Sequence, residues 1–180
     1  MKGKTLGLTA KQAVYIAVFA ALTAAGAFIK IPVPVVPFSM MTFFTILAGA
    51  VLEKKQAFLS QAVYIVLGLI GVPVFANGGG ISYVLQPTFG YILALPFTAY
   101  MIAKLDEAGF KTFIAMFLPT LFQLFAGTLY LYLINTLYFG KETDLAKVMT
   151  SYAVTFIPVE LIKCALAYAV YSRINRFIDK

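Results

Sequence analysis

Two charged residues inside a long apolar run are the side chains whose types and spacing suggest chemistry. Between Val154 and Val170 the only charges belong to Glu160 and Lys163, and a spacing of three residues puts both on one face of a helix. A charge at membrane depth is costly and is retained mainly where it faces a protein interior or a polar cavity. The pair predicts either a ligand site or an ion pair that only ties helices together.

The other reactive residue types are scarce. The 180 residues include no histidine and a single cysteine, Cys164. The commonest metal ligand and general base is therefore missing, and no internal disulfide or cysteine-based metal site can form. We predict no catalytic residue and no metal site. An intramembrane enzyme remains a remote alternative, although no serine is placed convincingly near Lys163. Other polar residues could line the same cavity or bond between helices: Gln61, Gln123 and Asn135.

A glycine-rich loop lies in the middle of the chain. Residues 72–87 carry no charge and include Asn77-Gly78-Gly79-Gly80. Glycine permits positive φ and close approach of the backbone to a ligand. The loop is therefore either a flexible connector or a cap over a pocket, and its apolar flank Val72-Pro73-Val74-Phe75 favours the cap.

The first apolar run contains a stripe of small residues. Alanines recur every four residues at Ala13, Ala17, Ala21 and Ala25. Such a stripe lets another helix approach closely in lipid, where packing drives association. The spacing slightly favours packing within this chain's own bundle over docking of a separate membrane subunit, and both remain open.

The elements that carry these motifs are membrane-spanning helices. Hydrophobic residues make up 62% of the chain and charged residues 12%, with a mean hydropathy of +0.91, whereas soluble domains have about 25% charged residues. We predict an all-α, polytopic bundle of six transmembrane helices, forming a single integral membrane domain over residues 1–180. The expected spans are Ala13–Ile29, Phe38–Leu52, Gln56–Gly71, Thr88–Ala103, Thr112–Leu133 and Val148–Tyr171. Three prolines in residues 30–37 predict a stiff extended connection between the first two spans.

The basic residues predict the orientation. With six spans both termini lie on one side, and that side carries most of the positive charge, so the positive-inside rule puts both termini in the cytoplasm. Since these residues flank the apolar runs, the net charge of +7 is a topology signal and does not indicate a nucleic-acid partner. The opposite side carries Lys30, Lys141 and Lys147, and the cytoplasmic side carries Lys2, Lys4, Lys11, Lys54, Lys55, Lys104, Lys111, Arg173, Arg176 and Lys180.

Several segments, in their order and spacing, resemble one family. The chain resembles the BioY family, the biotin-capturing S components of energy-coupling factor (ECF) transporters, over nearly its whole length. The segments that carry the resemblance are residues 17–24, 30–34, 47–49, 68–75, the glycine loop, 86–91 and 158–163.

The resemblance implies a function and a set of residues. It implies a six-helix bundle of the ECF S-component type in the cell membrane, which binds biotin at the extracellular side for uptake. The partners would be the ECF transmembrane subunit and two ATPase subunits, which use the ATP, so this chain would hold no cofactor. The small-residue stripe, at Ala17, Ala21 and Ala25, would dock on the transmembrane subunit. The substrate-binding residues would be Asn77, Gly78, Gly79, Tyr83, Tyr91, Glu160 and Lys163.

The chain departs from the usual pattern of that family at four positions. Val159 and Glu160 replace glycine and aspartate, Phe89 replaces glycine, and Met41 replaces glutamine. These changes remove hydrogen-bonding groups or add bulk, and a site built to hydrogen-bond its substrate is sensitive to both. A related carboxylate such as lipoate, carried by the same class of transporter, is therefore the alternative substrate.

Overall fold

The protein is a bundle of α-helices. The computed structural model describes residues 8–31, 38–141 and 144–178, and the predicted proline connection lies mostly outside these ranges. Within them the helices are α1 (Ala10–Phe28), α2 (Met41–Val51), α3 (Lys54–Leu69), α4 (Phe89–Leu93), α5 (Leu95–Glu107), α6 (Thr112–Leu133) and α7 (Leu145–Ile178). Because α4 and α5 form one span interrupted at Ala94, the prediction of an all-α six-helix bundle is confirmed.

Three of these helices are long and apolar enough to cross a membrane. They are α1, α6 with the π-helical turn Ile134–Tyr138 that continues it, and α7 up to Asn175. The helix α2 is apolar but has only 11 residues, about 16 Å of helix, against about 30 Å of hydrocarbon in a bilayer. It therefore covers only part of the membrane depth.

The short helix α2 lies at the centre of the bundle. It packs against α1, α3, α5, α6 and α7, and six of its residues are buried, among them Thr45, Ile46 and Ala48. Gly49 permits the contact with α5, because a Cβ atom there would lie 2.8 Å from the carbonyl oxygen of Ala99. A short central helix leaves room beyond its N-terminal end, where the cavity described below is found.

A buried amide joins three helices. Gln61 of α3 accepts hydrogen bonds from the hydroxyls of Thr23 on α1 (3.2 Å) and Thr45 on α2 (3.1 Å), and its amide nitrogen donates to Ser60 (3.1 Å). All four residues are fully buried. Since polar pairing links helices in lipid, Gln61 bonds between helices and is not part of the cavity wall.

Several elements differ from the sequence prediction, and the last helix extends to Ile178, beyond the predicted end at Tyr171. The second helix begins at Met41 and not at Phe38, because Phe38–Ser39 forms an antiparallel strand pair (β2) with Lys30–Ile31 (β1). The fourth span is interrupted at Ala94, two residues before Pro96, whose ring cannot fit beside the carbonyl four residues earlier. The predicted loop also contains a 3-10 helix, Ile81–Leu85.

The glycine loop folds back onto the end of α3. Phe75 is fully buried and contacts the rings of Tyr64 and Tyr83, with centroids 5.4 and 4.6 Å away. Gly68 accommodates that ring, since a Cβ atom on it would lie 2.0 Å from Phe75 Cζ. The loop is therefore a packed cap, as its apolar flank suggested.

Candidate functional site

A cavity lies between the glycine loop, the N-terminal end of α2, and the helices α4, α6 and α7. Its volume is about 60 Å³, well below the usual range of about 300–1,000 Å³ for small-molecule sites. Both polar and apolar side chains line it. The lining residues are Ser39, Met41, Thr42, Ala76, Asn77, Tyr83, Thr88, Tyr91, Ile92, Thr120, Gln123, Leu124, Phe156, Glu160 and Lys163.

Five of the seven predicted substrate-binding residues line this cavity. They come from three separate parts of the chain: Asn77 and Tyr83 from the loop region, Tyr91 from α4, and Glu160 and Lys163 from α7. The tertiary structure thus brings together residues more than 80 positions apart. Their role in binding stays a prediction, supported by this shared location.

The two predicted glycines lie in the loop but are not among the lining residues. Gly78 has a φ of +114°, and its backbone exchanges hydrogen bonds with Phe75 at 2.9 and 3.1 Å. Gly79 lies against the end of α3, because a Cβ atom there would be 3.0 Å from the carbonyl oxygen of Gly68 and 2.3 Å from that of Val72. Both glycines shape the loop that carries Asn77, and a direct contact with substrate stays a prediction.

The two charges of α7 form a buried ion pair on the cavity wall. Lys163 Nζ lies 2.7 Å from Glu160 Oε1, and each residue is 6% exposed. The two residues form an ion pair within α7, as the second of the two sequence interpretations requires, and both also line the cavity. An ammonium group has three N–H donors, so the bond to Glu160 leaves donors that a ligand can use.

Unpaired polar atoms are concentrated at the same cavity. Among the described residues, three buried side-chain oxygens have no hydrogen-bond partner, namely Thr88 Oγ1, Gln123 Oε1 and Glu160 Oε2, and all three residues line the cavity. Nearly all buried polar atoms in proteins are hydrogen-bonded, and an unmet one costs about 1–3 kcal/mol. The arrangement therefore suits a ligand whose N–H groups meet the two side-chain carbonyl and carboxylate acceptors.

Aromatic rings provide the apolar part of the wall. Tyr91 stacks on Phe156 with centroids 6.2 Å apart, and its hydroxyl is bonded to Thr128 Oγ1 at 2.9 Å. Close packing with Gly127 holds the Tyr91 ring in place. In the loop, burial raises the pKa of Tyr83, so at neutral pH this residue presents a neutral phenol to the cavity.

One residue near the site was not predicted from the sequence. Lys30, which the sequence offered only as part of the family segment and as an outward-side charge, donates hydrogen bonds to the carbonyl oxygen of Ala76 and to Asn77 Oδ1, the latter at 3.0 Å. It thereby ties the end of α1 to the loop. In the sequence, its position at the end of the first span was already accounted for as an outward-side charge, so nothing indicated a contact with the loop. The sequence also gave no reason to single out Ser39, Thr42 or Thr120, and it offered Thr88 only as part of the family segment 86–91.

Two of the four departures from the family pattern reach the cavity. Met41 lies on its wall, where its sulfur accepts a hydrogen bond from the Tyr64 hydroxyl at 3.3 Å, and Glu160 lies there too. Phe89 is buried in a separate cluster against Tyr83 and Tyr130, and Val159 is not a lining residue. The added bulk of Phe89 is therefore absorbed by the core.

The alanine stripe of α1 lies on the outside of the bundle. The positions buried in α1 include Ile16, Ala20 and Thr23. By contrast, the residues spaced four apart are all exposed: Ala13, Ala17, Ala21 and Ala25. This face of α1 is not used for packing among the described residues, and it is flat enough for another helix to approach.

Comparisons with known proteins agree on one family. A family model described as the BioY family matches residues 1–180. A probable biotin transporter BioY of Lysinibacillus sphaericus is 46% identical over 136 residues, covering 73% of this chain and 69% of that protein. A probable biotin transporter BioY of Pyrococcus horikoshii is 36% identical over 169 residues, covering 93% and 98%. A crystal structure of the S-component for biotin from an ECF-type ABC transporter matches with a TM-score of 0.80 and 25% identity, covering 94% of this chain and 95% of that one.

Proposed function

The chain belongs to the BioY family, and from this membership we propose that it is the substrate-capture component of an ECF-type vitamin importer that binds biotin. The observation that carries the proposal is the cavity, whose wall holds a buried lysine and unpaired acceptor atoms. Binding would occur at the extracellular side, since the cavity lies between the glycine loop and the half of α7 that the positive-inside rule turns outward.

The chemistry of biotin matches the polar atoms of this wall. Its ureido ring carries two N–H donors and one carbonyl acceptor, its fused thioether ring is apolar, and its side chain ends in a carboxylate. Glu160 Oε2 and Gln123 Oε1 would accept from the N–H groups, while Lys163 would donate to an acceptor oxygen. The apolar ring would lie against Phe156 and Leu124.

Lipoate, the alternative substrate, fits this wall less well. Its dithiolane ring has no N–H donor, so the two acceptors would remain buried and unpaired in the complex. A site whose acceptors go unmet loses affinity steeply. Among the departures from the family pattern that add bulk or remove a polar group, only Met41 lines the cavity. The polar side chains of Glu160 and Lys163 are retained on its wall.

The alanine stripe is the proposed docking face for the partner. Ala17, Ala21 and Ala25 are exposed on one side of α1, and small residues permit close helix packing in lipid. We propose that the ECF transmembrane subunit packs here and that two ATPase subunits supply the energy. This chain would bind its substrate without changing it, with no catalytic residue and no cofactor of its own.

The proposed location is the cell membrane, with six crossings and both termini in the cytoplasm. Lys11, Lys54, Lys104, Lys111 and Arg173 would then lie on the cytoplasmic side, and Lys30 and Lys141 outside. Cysteine accessibility to impermeant reagents in whole cells, at positions 11 and 141 in a Cys164→Ala background, tests this orientation. Labelling at position 11 and protection at position 141 would contradict it.

Thermal stability in detergent tests the substrate assignment. A ligand that binds only the folded state stabilises it by about 2.7 kcal/mol when its concentration is 100 times Kd. Biotin should raise the melting temperature of the purified chain, and lipoate at the same concentration should not. A rise with lipoate equal to that with biotin would show that the wall does not select for N–H donors, and the biotin assignment would then be wrong.

A further inference from the structure

The glycine loop is held by a lysine from outside it. Lys30 is half-buried, and its ammonium donates to the carbonyl oxygen of Ala76 and to Asn77 Oδ1. Its own backbone is fixed by the strand pair, in which Lys30 is opposite Ser39. Ala76, Asn77 and Ser39 all line the cavity. Lys30 therefore joins two parts of the wall while it is not itself a lining residue.

The ammonium group determines which way the Asn77 amide is turned. An ammonium can only donate hydrogen bonds, and an amide side chain has one accepting oxygen and one donating NH₂ group. The amide oxygen must therefore face Lys30, from which it is 3.0 Å away. The NH₂ group of Asn77 then points away from Lys30, and Asn77 is one of the residues that line the cavity.

We propose that Lys30 is a positioning residue for the substrate: it holds the Asn77 amide with its oxygen outward and its NH₂ group toward the cavity. The loop then presents a hydrogen-bond donor to an acceptor oxygen of the substrate. Across the cavity, Glu160 presents an unpaired acceptor. The two walls have opposite hydrogen-bonding polarity, which suits a molecule with both N–H and carbonyl or carboxylate groups.

This inference rests on the proposed function, because biotin is the molecule used to test it. The purified full chain is titrated with biotin to determine Kd. Lys30→Met should weaken binding about five-fold, the effect of one lost hydrogen bond of ordinary strength. Lys30→Arg should bind within about two-fold of the wild type, since a guanidinium also only donates. Lys141→Met, a change of another outward-side lysine, should leave Kd unchanged.

Two further variants separate positioning of the amide from simple attachment of the loop. Asn77→Asp keeps an acceptor for Lys30 but loses the NH₂ group, so it should weaken binding at least as much as Asn77→Ala. The double variant Lys30→Met/Asn77→Ala should bind no more weakly than Asn77→Ala, because Lys30 acts through that amide. Melting temperatures without ligand show whether each variant is folded. If Lys30→Met does not fold, the affinity of Asn77→Asp decides whether the amide NH₂ group contributes to binding.

Three results would overturn the inference. They are wild-type affinity in Lys30→Met, wild-type affinity in Asn77→Asp, and single-variant effects that multiply in the double variant. The last would mean that the two residues act independently. Failure of the wild type to bind biotin is a different result, since it contradicts the proposed function and removes the inference together with it.

Discussion

Replacing Lys163 with methionine tests whether the buried ion pair serves binding or only the fold. The two residues are each 6% exposed, and the Nζ–Oε1 distance is 2.7 Å. Removing one partner of a buried pair costs about 3–5 kcal/mol, because the other charge is left uncompensated. For a chain of this size, the melting temperature should fall by about 6–20 °C. Loss of a charge-assisted hydrogen bond to biotin, worth about 1.5–3 kcal/mol, should weaken binding by about ten- to hundred-fold.

The double variant Glu160→Gln/Lys163→Met separates the two effects. Replacing a buried pair by neutral side chains of similar size is often close to neutral for stability, so the melting temperature should return most of the way to that of the wild type. Binding should remain weak, because neither the ammonium nor the carboxylate acceptor is present. Lys147→Met is the matched control, since it makes the same substitution at an exposed position of the same helix.

The assay combines melting curves in detergent with biotin titrations on the same samples. If the double variant is folded and binds biotin with wild-type affinity, the pair only ties helices together and the reasoning from the cavity is refuted. If Lys163→Met alone is as stable as the wild type, the pair does not contribute the calculated interaction and the burial argument fails.

Two further predictions concern packing surfaces. Ala21→Trp should reduce biotin uptake in cells by at least about ten-fold while leaving biotin affinity of the purified chain unchanged, because it blocks the exposed stripe of α1; Ala169→Trp, on the exposed face of α7, should affect neither. Loss of affinity in Ala21→Trp would contradict a pure docking role. Gly127→Ala should lower the melting temperature by about 2–12 °C, the equivalent of about 1–3 kcal/mol of overpacking, and should also weaken biotin binding, because the new Cβ atom would lie 2.2 Å from the Tyr91 ring on the cavity wall. Unchanged stability and affinity would show that Tyr91 moves aside freely.

Much of the fold could be predicted from local patterns. Apolar runs marked all six helical segments, and the ends of α1, α3 and α6 fell within three residues of the prediction. The departures arose where strand pairing or a proline overrides the pattern. A strand pair delayed the start of α2 to Met41, and Pro96 divided the fourth span at Ala94. Hydropathy cannot detect either event, because strand pairing depends on contacts between two segments and a proline interrupts a helix through its ring geometry.

The candidate site was predictable in its charges and its loop but not in its assembly. Glu160 and Lys163 stood out because ionisable residues are rare in apolar spans. Gln123 was noticed, although the sequence could not decide between a cavity and a helix contact, and its unpaired oxygen now places it on the cavity wall. Lys30 could not be identified as a loop anchor, since its partners lie 46 and 47 residues further along the chain.

The sequence by itself determined the membrane class, the helix content and the charged pair, because composition, hydropathy and i,i+3 spacing are local properties. The tertiary structure decided which polar atoms face one another. It showed that Gln61 is satisfied within the bundle, that the oxygens of Gln123 and Glu160 are left unpaired at the cavity, and that the alanine stripe faces outward. These features depend on how helices far apart in sequence pack against one another, α1 on α3 and α6 on α7 among them.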